Sequence, residues 1–206
     1  MNPSGTGKDR AAKWMLQEVL MSPSFRPGID IIEGTSGSTG IALASICNAM
    51  GLNLHIVMPD DQAAEKRILL ERLGASVTVV PCCGISNTDH YVNAARKLAM
   101  EMNGIFMDQF ENRANFEAHF RETGPEIWEQ SGREIDAFVM SAGTGGTIAG
   151  VSRYLKARKP SVGVYLADPD GSSLLHRVKF GVCFTHQQKE RKIKKHRYDS
   201  IVEGDT

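Results

Sequence analysis

The sequence predicts an α/β protein in which parallel sheets carry helices on both faces. Three observations predict it: short apolar strands alternate with amphipathic helices, glycine or proline closes most of these elements, and glycine-rich loops follow strands and open helices. Two parallel strands joined in succession need a crossover connection, which is usually a helix packed on the sheet. The length of 206 residues allows one large domain or two small ones.

The first half of the chain repeats helix and strand in order. Apolar residues recur at helical spacing from Ala11 to Leu20, and Pro23 with Pro27 ends this first helix. Strands are then predicted at residues 29–32, 54–58, 77–80 and 105–107, with helices at 39–50, 63–73 and 89–102 between them. This alternation predicts a first parallel sheet.

The second half gives the same order again. A polar stretch at residues 111–115 leads into a helical region that continues to residue 130, and a strand at 137–140, a helix after Thr147 and a strand at 162–167 follow. We therefore predict a domain boundary near residue 112. An N-terminal α/β domain would occupy residues 1–112, and a partial C-terminal α/β domain would occupy residues 113–206.

Composition favours an ordinary globular protein with a small ligand. Hydrophobic residues make up 41%, and the formal net charge is zero, so nothing predicts bulk attraction to nucleic acid or to a membrane. No apolar run predicts a membrane span or a signal peptide. The basic stretch at residues 189–197 is interpreted as a solvated surface rather than a localisation signal. The four cysteines, Cys47, Cys82, Cys83 and Cys183, lack the spacing of a disulfide framework or a metal site, so a reducing compartment is expected.

Two loops could each bind an anion. Residues 138–147 place Gly143, Gly145 and Gly146 between an apolar strand and a helix, where backbone N–H groups and the helix dipole favour a phosphate. A tight turn without a ligand remains the alternative, and Ile148 occupies a position where the dinucleotide fingerprint needs glycine, which weakens a nicotinamide-binding interpretation. The second loop, residues 33–40, offers several hydroxyl side chains at a helix start and could hold a carboxylate.

Lys8 is a candidate nucleophile at the start of the first helix. A surface lysine in this position usually has no function, but a cation is mildly unfavourable at a helix N-terminus, and forming a Schiff base would remove the charge. An amine nucleophile, a carboxylate cradle and a phosphate cradle together are the minimum set for a pyridoxal-phosphate enzyme. The sequence therefore predicts that chemistry.

Five segments then resemble motifs of the cysteine synthase and cystathionine β-synthase family, which depends on pyridoxal 5′-phosphate (PLP). They are NPSGTGKDR, EGTSGSTGIALA, DQFEN, TGPEIW and SAGTGGTIAG, and they occur in the family's order. Related dehydratases of the same fold usually carry S-G-N-H in the second loop, so the sulfur-handling branch is the closer match. The resemblance implies the tryptophan synthase β-like fold, with two doubly wound parallel-sheet domains of which the second is incomplete here.

The resemblance also implies roles for individual residues. Lys8 would be the Schiff-base lysine and proton shuttle, and Ser38 stands where the family has an asparagine that contacts the cofactor, so cofactor tuning could differ. The cofactor phosphate would be bound by Gly143, Thr144, Gly145, Gly146 and Thr147. The substrate carboxylate would be held by Thr35, Ser36, Thr39 and Gln109. No metal is implied.

The implied reaction is β-replacement, which forms L-cysteine from O-acetylserine, or a similar O-activated serine, and sulfide or a thiol. A serine or threonine dehydratase-like lyase and a non-catalytic remnant are the alternatives. Full-length family members are implied to be homodimers. Residues 171–204 resemble an insertion of a fungal subgroup with some mitochondrial members, so the cytoplasm or the mitochondrion is expected. Family members normally extend further on both sides, and we expect a truncated copy to be poorly stable and weakly active.

Overall fold

The computed structural model describes residues 2–169 and 172–182, which form two compact units that divide between Asn115 and Phe116. The basic stretch at 189–197, Cys183 and most of the predicted insertion at 171–204 lie outside the described residues. Within the described part of the chain, no helix is long and apolar enough to cross a membrane.

The first unit is built on a four-stranded parallel sheet, which confirms the predicted architecture. Its strands are β1 Asp30–Gly34, β2 Asn53–Pro59, β3 Ser76–Val80 and β4 Ile105–Phe106, in the order β3-β2-β1-β4. Its helices are α1 Asp9–Met21, α2 Ser38–Met50, α3 Ala64–Arg72 and α4 Tyr91–Glu101. The predicted bounds differ by one or two residues, as is usual where helix and strand ends fray.

Strand β1 is buried on both faces, which explains its continuous apolar run. Ile31 and Ile32 point to opposite faces because side chains alternate along a strand, and both are fully buried. Ile31 packs in a cluster with residues of α1 and α2, such as Leu16 and Leu43. Ile32 packs with Ala95 and other residues of α4. The helices therefore cover both faces of the sheet, and β1 lies in the middle of the unit.

The remaining elements begin with α5 Arg113–Ala118, which Asn112 caps by accepting the N–H of Ala114 at 2.9 Å. A π-helical turn, His119–Thr123, leads into α6 Gly124–Gln130. The second unit then continues with β5 Ala137–Met140, α7 Gly146–Arg158, β6 Gly163–Leu166 and α8 Leu174–Phe180. Strands β5 and β6 pair in parallel. The sequence predicted neither the π turn nor α8.

Candidate active site

Lys8 stands directly before α1 in a loop that Asp9 holds together. The Asp9 carboxylate accepts the N–H of Ser4 at 2.9 Å, the hydroxyl of Ser4, and the hydroxyl of Thr6 at 3.2 Å. Thr6 Oγ1 in turn accepts the N–H of Lys8 at 3.1 Å. An acidic residue in the first turn also complements the helix dipole. The loop therefore has a defined conformation that fixes where the Lys8 side chain begins.

The amine of Lys8 lies in a partly buried environment. Burial lowers the pKa of Lys8 below its ordinary value, because an ammonium group loses hydration there. A lowered pKa increases the fraction of neutral amine, and only the neutral amine is a nucleophile. The environment of Lys8 therefore favours covalent chemistry with a carbonyl group.

The segment that follows α1 is tied to the residues before β4. In the segment after α1, Arg26 donates to the carbonyl of Asn103 at 3.0 Å, just before β4 begins. In open parallel sheets the carboxyl edge is where ligands bind.

Thr39 and Gln109 meet at that carboxyl edge, although 70 residues separate them in the sequence. The Thr39 hydroxyl donates to Gln109 Oε1, and Gln109 Nε2 donates to the carbonyl of Gly34 at 2.9 Å. The carbonyl of Gln109 accepts a hydrogen bond from Asn115 Nδ2 at 3.0 Å. Both Thr39 and Gln109 are buried. Two of the predicted carboxylate-binding residues thus form one fixed pair.

Three hydrogen bonds fix the turn between β1 and α2. The Thr35 N–H donates to the carbonyl of Val57 at 3.0 Å, and the Thr35 hydroxyl accepts the N–H of Gly37 at 3.1 Å. Lys66 Nζ donates to the carbonyl of Ser36 at 3.2 Å. The turn is therefore anchored to the neighbouring strand β2 and to α3.

The start of α2 presents backbone donors at this edge. Ile41 N–H makes the first bond of the helix, to the carbonyl of Gly37 at 2.9 Å, so the N–H groups of the three preceding residues have no partner in the same helix. Ser36 is half-buried there and Ser38 is exposed. Backbone donors, two hydroxyls and a helix dipole together suit a carboxylate.

Glu33 is a fully buried acid one residue before the end of β1. Neither of its carboxyl oxygens has a hydrogen-bond partner among the described residues. Burial, and then the neighbouring Asp108 carboxylate, raise the pKa of Glu33 well above its ordinary value. The protonated form is therefore favoured.

The glycine-rich loop of the second unit joins β5 to α7. Gly145 has φ +78°, a left-handed conformation that favours glycine, and a Cβ added at Gly143 or Gly145 would meet no described atom within 4 Å. Ala149 N–H donates to the carbonyl of Gly145 at 3.0 Å as the first bond of α7. The N–H groups of the first residues of this 13-residue helix have no acceptor within the helix, and such a helix start suits an anion.

Several residues that contact these groups or lie buried beside them were not identified from the sequence: Asp9, Glu33, Lys66, Asn115 and His119, whose ring contacts the Thr147 hydroxyl. Their contacts join distant segments or depend on burial, and no short motif indicates either. Asp9 is next to the predicted site residue Lys8 in the sequence, so a supporting role for it could have been suspected. In the residues that the structure describes, no group of three or more His, Cys, Asp or Glu side chains could hold a metal ion.

Sequence comparison identifies relatives over almost all of the chain. It is 45% identical to Cysteine synthase 2 of Schizosaccharomyces pombe and 47% identical to a putative mitochondrial cysteine synthase of Saccharomyces cerevisiae. These alignments cover 99% and 98% of this chain and 54% of each relative, so the chain spans about half the length of these curated relatives. The predicted kinship with fungal cysteine synthases is confirmed.

Solved structures give the same fold. The crystal structure of O-ureido-L-serine synthase matches with a TM-score of 0.81 and 30% identity over 98% of this chain and 61% of that one. A hydrogen sulfide-producing enzyme from Fusobacterium nucleatum matches with a TM-score of 0.77 and 30% identity, over 90% of this chain and 59% of that one. The predicted tryptophan synthase β-like fold is confirmed, and the chain covers part of it.

The family models give the assignment directly. Residues 1–204 match the model described as pyridoxal-phosphate dependent enzyme. The match includes the lysine loop, the Thr39–Gln109 pair and the glycine-rich loop described above. This chain therefore belongs to the pyridoxal-phosphate dependent enzymes.

Proposed function

We propose that this chain supplies the PLP and substrate sites for β-replacement, forming L-cysteine from O-acetylserine, or a similar O-activated serine, and sulfide. The observation that carries the proposal is the 45–47% identity to cysteine synthases over 98–99% of the chain. The hydroxyl and backbone donors at the carboxyl edge of the first sheet and the glycine-rich loop before α7 support it.

The residues present fit PLP. Lys8, whose pKa burial lowers, would hold the cofactor covalently. Open space at Gly143 and Gly145, with the N–H groups that begin α7, suits the phosphate dianion, and Thr144 and Thr147 add hydroxyls. Ser38 is exposed at the start of α2 and would contact the ring with its hydroxyl. When bound, PLP supplies an electron sink for charge that develops at the substrate's α-carbon.

The protein's own groups would bind and orient the amino acid. Thr35 and Ser36 would hold its carboxylate with their hydroxyls, Thr39 with its backbone N–H at the start of α2, and Gln109 with its second amide N–H, since the Thr39 hydroxyl proton is already donated to Gln109. The bonds of Gln109 to Gly34 and Asn115 keep this set rigid, which limits the entropy lost on binding. Lys8, when it is not bound covalently, would accept the α-proton on Nζ, for which a lowered pKa is suited.

Our proposals for the assembly and the compartment rest on the same kinship. We propose a homodimer for the full-length protein, small-molecule partners and no nucleic acid, and a location in the cytoplasm or the mitochondrion. The name of the Saccharomyces cerevisiae relative, a putative mitochondrial cysteine synthase, supports the second compartment.

The experiment is an absorbance titration of the purified chain with PLP, for wild type and Lys8→Ala. We expect a visible band that depends on Lys8, and borohydride reduction followed by mass spectrometry should locate the cofactor on Lys8. Cysteine formed from O-acetylserine and sulfide is then compared with pyruvate release. Folded protein without a Lys8-dependent band would contradict the proposal, and pyruvate as the main product would favour a dehydratase-like lyase.

A further inference from the structure

His119 forms a bridge within the second unit that ends at the glycine-rich loop. Its ring is buried, with only 3% of the residue exposed. Nδ1 lies 2.9 Å from Thr123 Oγ1, and Nε2 lies 3.0 Å from Thr147 Oγ1. Both nitrogens are therefore engaged, and one of them holds a hydroxyl at the first turn of α7.

The backbone around His119 is built to permit this contact. His119 begins the π-helical turn, and such turns frequently occur at functional sites. Gly150 of α7 packs against this turn: a Cβ there would lie 2.6 Å from the Phe116 carbonyl oxygen and 2.8 Å from His119 Cβ. The close approach brings the ring within reach of Thr147.

The direction of the hydrogen bond decides what Thr147 can bind. If Nε2 accepted the Thr147 hydroxyl proton, this hydroxyl could donate nothing to an anion. If Nε2–H donates to Thr147 Oγ1, the hydroxyl proton remains available. A phosphate dianion beside Thr147 accepts hydrogen bonds and donates none, so it favours the second arrangement.

We propose that His119 is a positioning residue for the phosphate site, whose Nε2–H donates to Thr147 Oγ1 and directs the Thr147 hydroxyl proton to the phosphate of PLP. The inference rests on the proposed function, because it requires PLP phosphate at this loop. It assigns no catalytic step to His119, which acts through Thr147.

The test compares PLP with pyridoxal, which lacks the phosphate, in absorbance titrations of the full chain. The matched variants are His119→Gln, whose amide N–H reaches the position of Nε2, and His119→Asn, whose amide reaches only as far as Nδ1. Thr147→Val, alone and with His119→Asn, removes the hydroxyl. Circular dichroism checks that each variant is folded.

We expect His119→Asn to weaken PLP binding about tenfold, as for one hydrogen bond to a charged group, and to change pyridoxal binding by less than about twofold. His119→Gln should stay within about threefold of wild type for both compounds. In the Thr147→Val background, His119→Asn should add less than about a further twofold, because both changes remove one interaction.

Three results would each overturn the positioning role. His119→Asn could weaken the binding of PLP and of pyridoxal equally, or it could leave PLP binding unchanged. In the double variant, the effects of His119→Asn and Thr147→Val on PLP binding could simply add. If His119→Asn does not fold, two other results decide the positioning role. Thr147→Val must weaken the binding of PLP more than that of pyridoxal, and His119→Gln must leave PLP binding nearly unchanged. If wild type shows no Lys8-dependent band with either compound, the proposed function fails, and the role fails with it. If wild type shows the Lys8-dependent band and the His119 variants bind PLP as wild type does, only the positioning role is overturned.

Discussion

The protonation of Glu33 has a direct consequence for stability. Its folded-state pKa is raised, so the folded protein keeps the proton at a pH where the unfolded chain has lost it. Stability is therefore fully present below the ordinary carboxyl value of 4.5 and declines as the pH rises toward the folded-state pKa. This loss reflects burial of a group that ionises freely in the unfolded chain.

We predict that Glu33→Gln stabilises the protein at neutral pH and has little effect near pH 4. Glutamine resembles the protonated acid in shape and does not ionise. The difference in unfolding free energy should grow by about 1.4 kcal/mol per pH unit until the folded-state pKa is passed. Urea unfolding at several pH values measures it.

The exposed residue Glu18 provides the control for this prediction. Glu18→Gln should change the unfolding free energy by less than about 0.5 kcal/mol across the same pH range. A pH-independent effect of Glu33→Gln would show that Glu33 has the same charge in both states, and the prediction would be wrong.

Ser38 is a position at which the resemblance to the cysteine synthase family implies asparagine in place of serine. Its position as the exposed first residue of α2 leaves the hydroxyl accessible. A serine reaches less far than an asparagine and has one hydroxyl in place of an amide. The fold of the loop does not depend on this side chain, since Thr35, Val57 and Lys66 hold the turn.

At the scale of elements, strands and helices were predictable where burial alone decides the pattern. The apolar run of β1 and the helical spacing of α1 follow from which faces are covered. The helical region up to residue 130 was predicted correctly as helical. Its π turn was not, because a π turn has no periodic signature in a stretch this short.

The site was predictable in part, for the same kind of reason. The loops around Lys8, Ser36 and Gly143 carry local signals in glycine, hydroxyl and lysine spacing. The partners that hold the second and third of these loops do not: Lys66 reaches Ser36 across 30 residues, and His119 reaches Thr147 across 28. Such contacts arise from packing between elements, so one sequence alone could not predict them.

The packing of α7 against the π turn gives a prediction about a helix. Gly150→Ala should destabilise the second unit by about 2–3 kcal/mol, because the added methyl would overlap backbone that cannot move independently. The usual gain in helix propensity from alanine is smaller than this cost. Urea unfolding of the full chain measures the change.

Arg153→Ala in the same helix is the matched control, since Arg153 is exposed. It should change the unfolding free energy by less than about 0.5 kcal/mol. If Gly150→Ala were as mild as Arg153→Ala, close packing between α7 and the π turn would be excluded.

At the scale of the whole molecule, the proposed cofactor residues come from both units. Lys8 belongs to the first unit, and Gly143 to Thr147 belong to the second. The pair of Thr39 and Gln109, which we propose binds the substrate carboxylate, also belongs to the first. A ligand that binds residues of both units stabilises both against unfolding, because unfolding of either one releases it.

The two tryptophans make this testable, since Trp14 lies in α1 and Trp128 in α6. Trp14→Phe and Trp128→Phe each leave one fluorescent reporter, one for each unit. At about 100 times its Kd, PLP should add about 2.7 kcal/mol, which for a chain of this length raises the melting temperature by about 5–10 °C. Both reporters should shift, and Lys8→Ala should lose most of the effect. A shift confined to one reporter would mean that PLP is held by one unit alone, contrary to the assignment of Lys8 and the glycine-rich loop to the same cofactor.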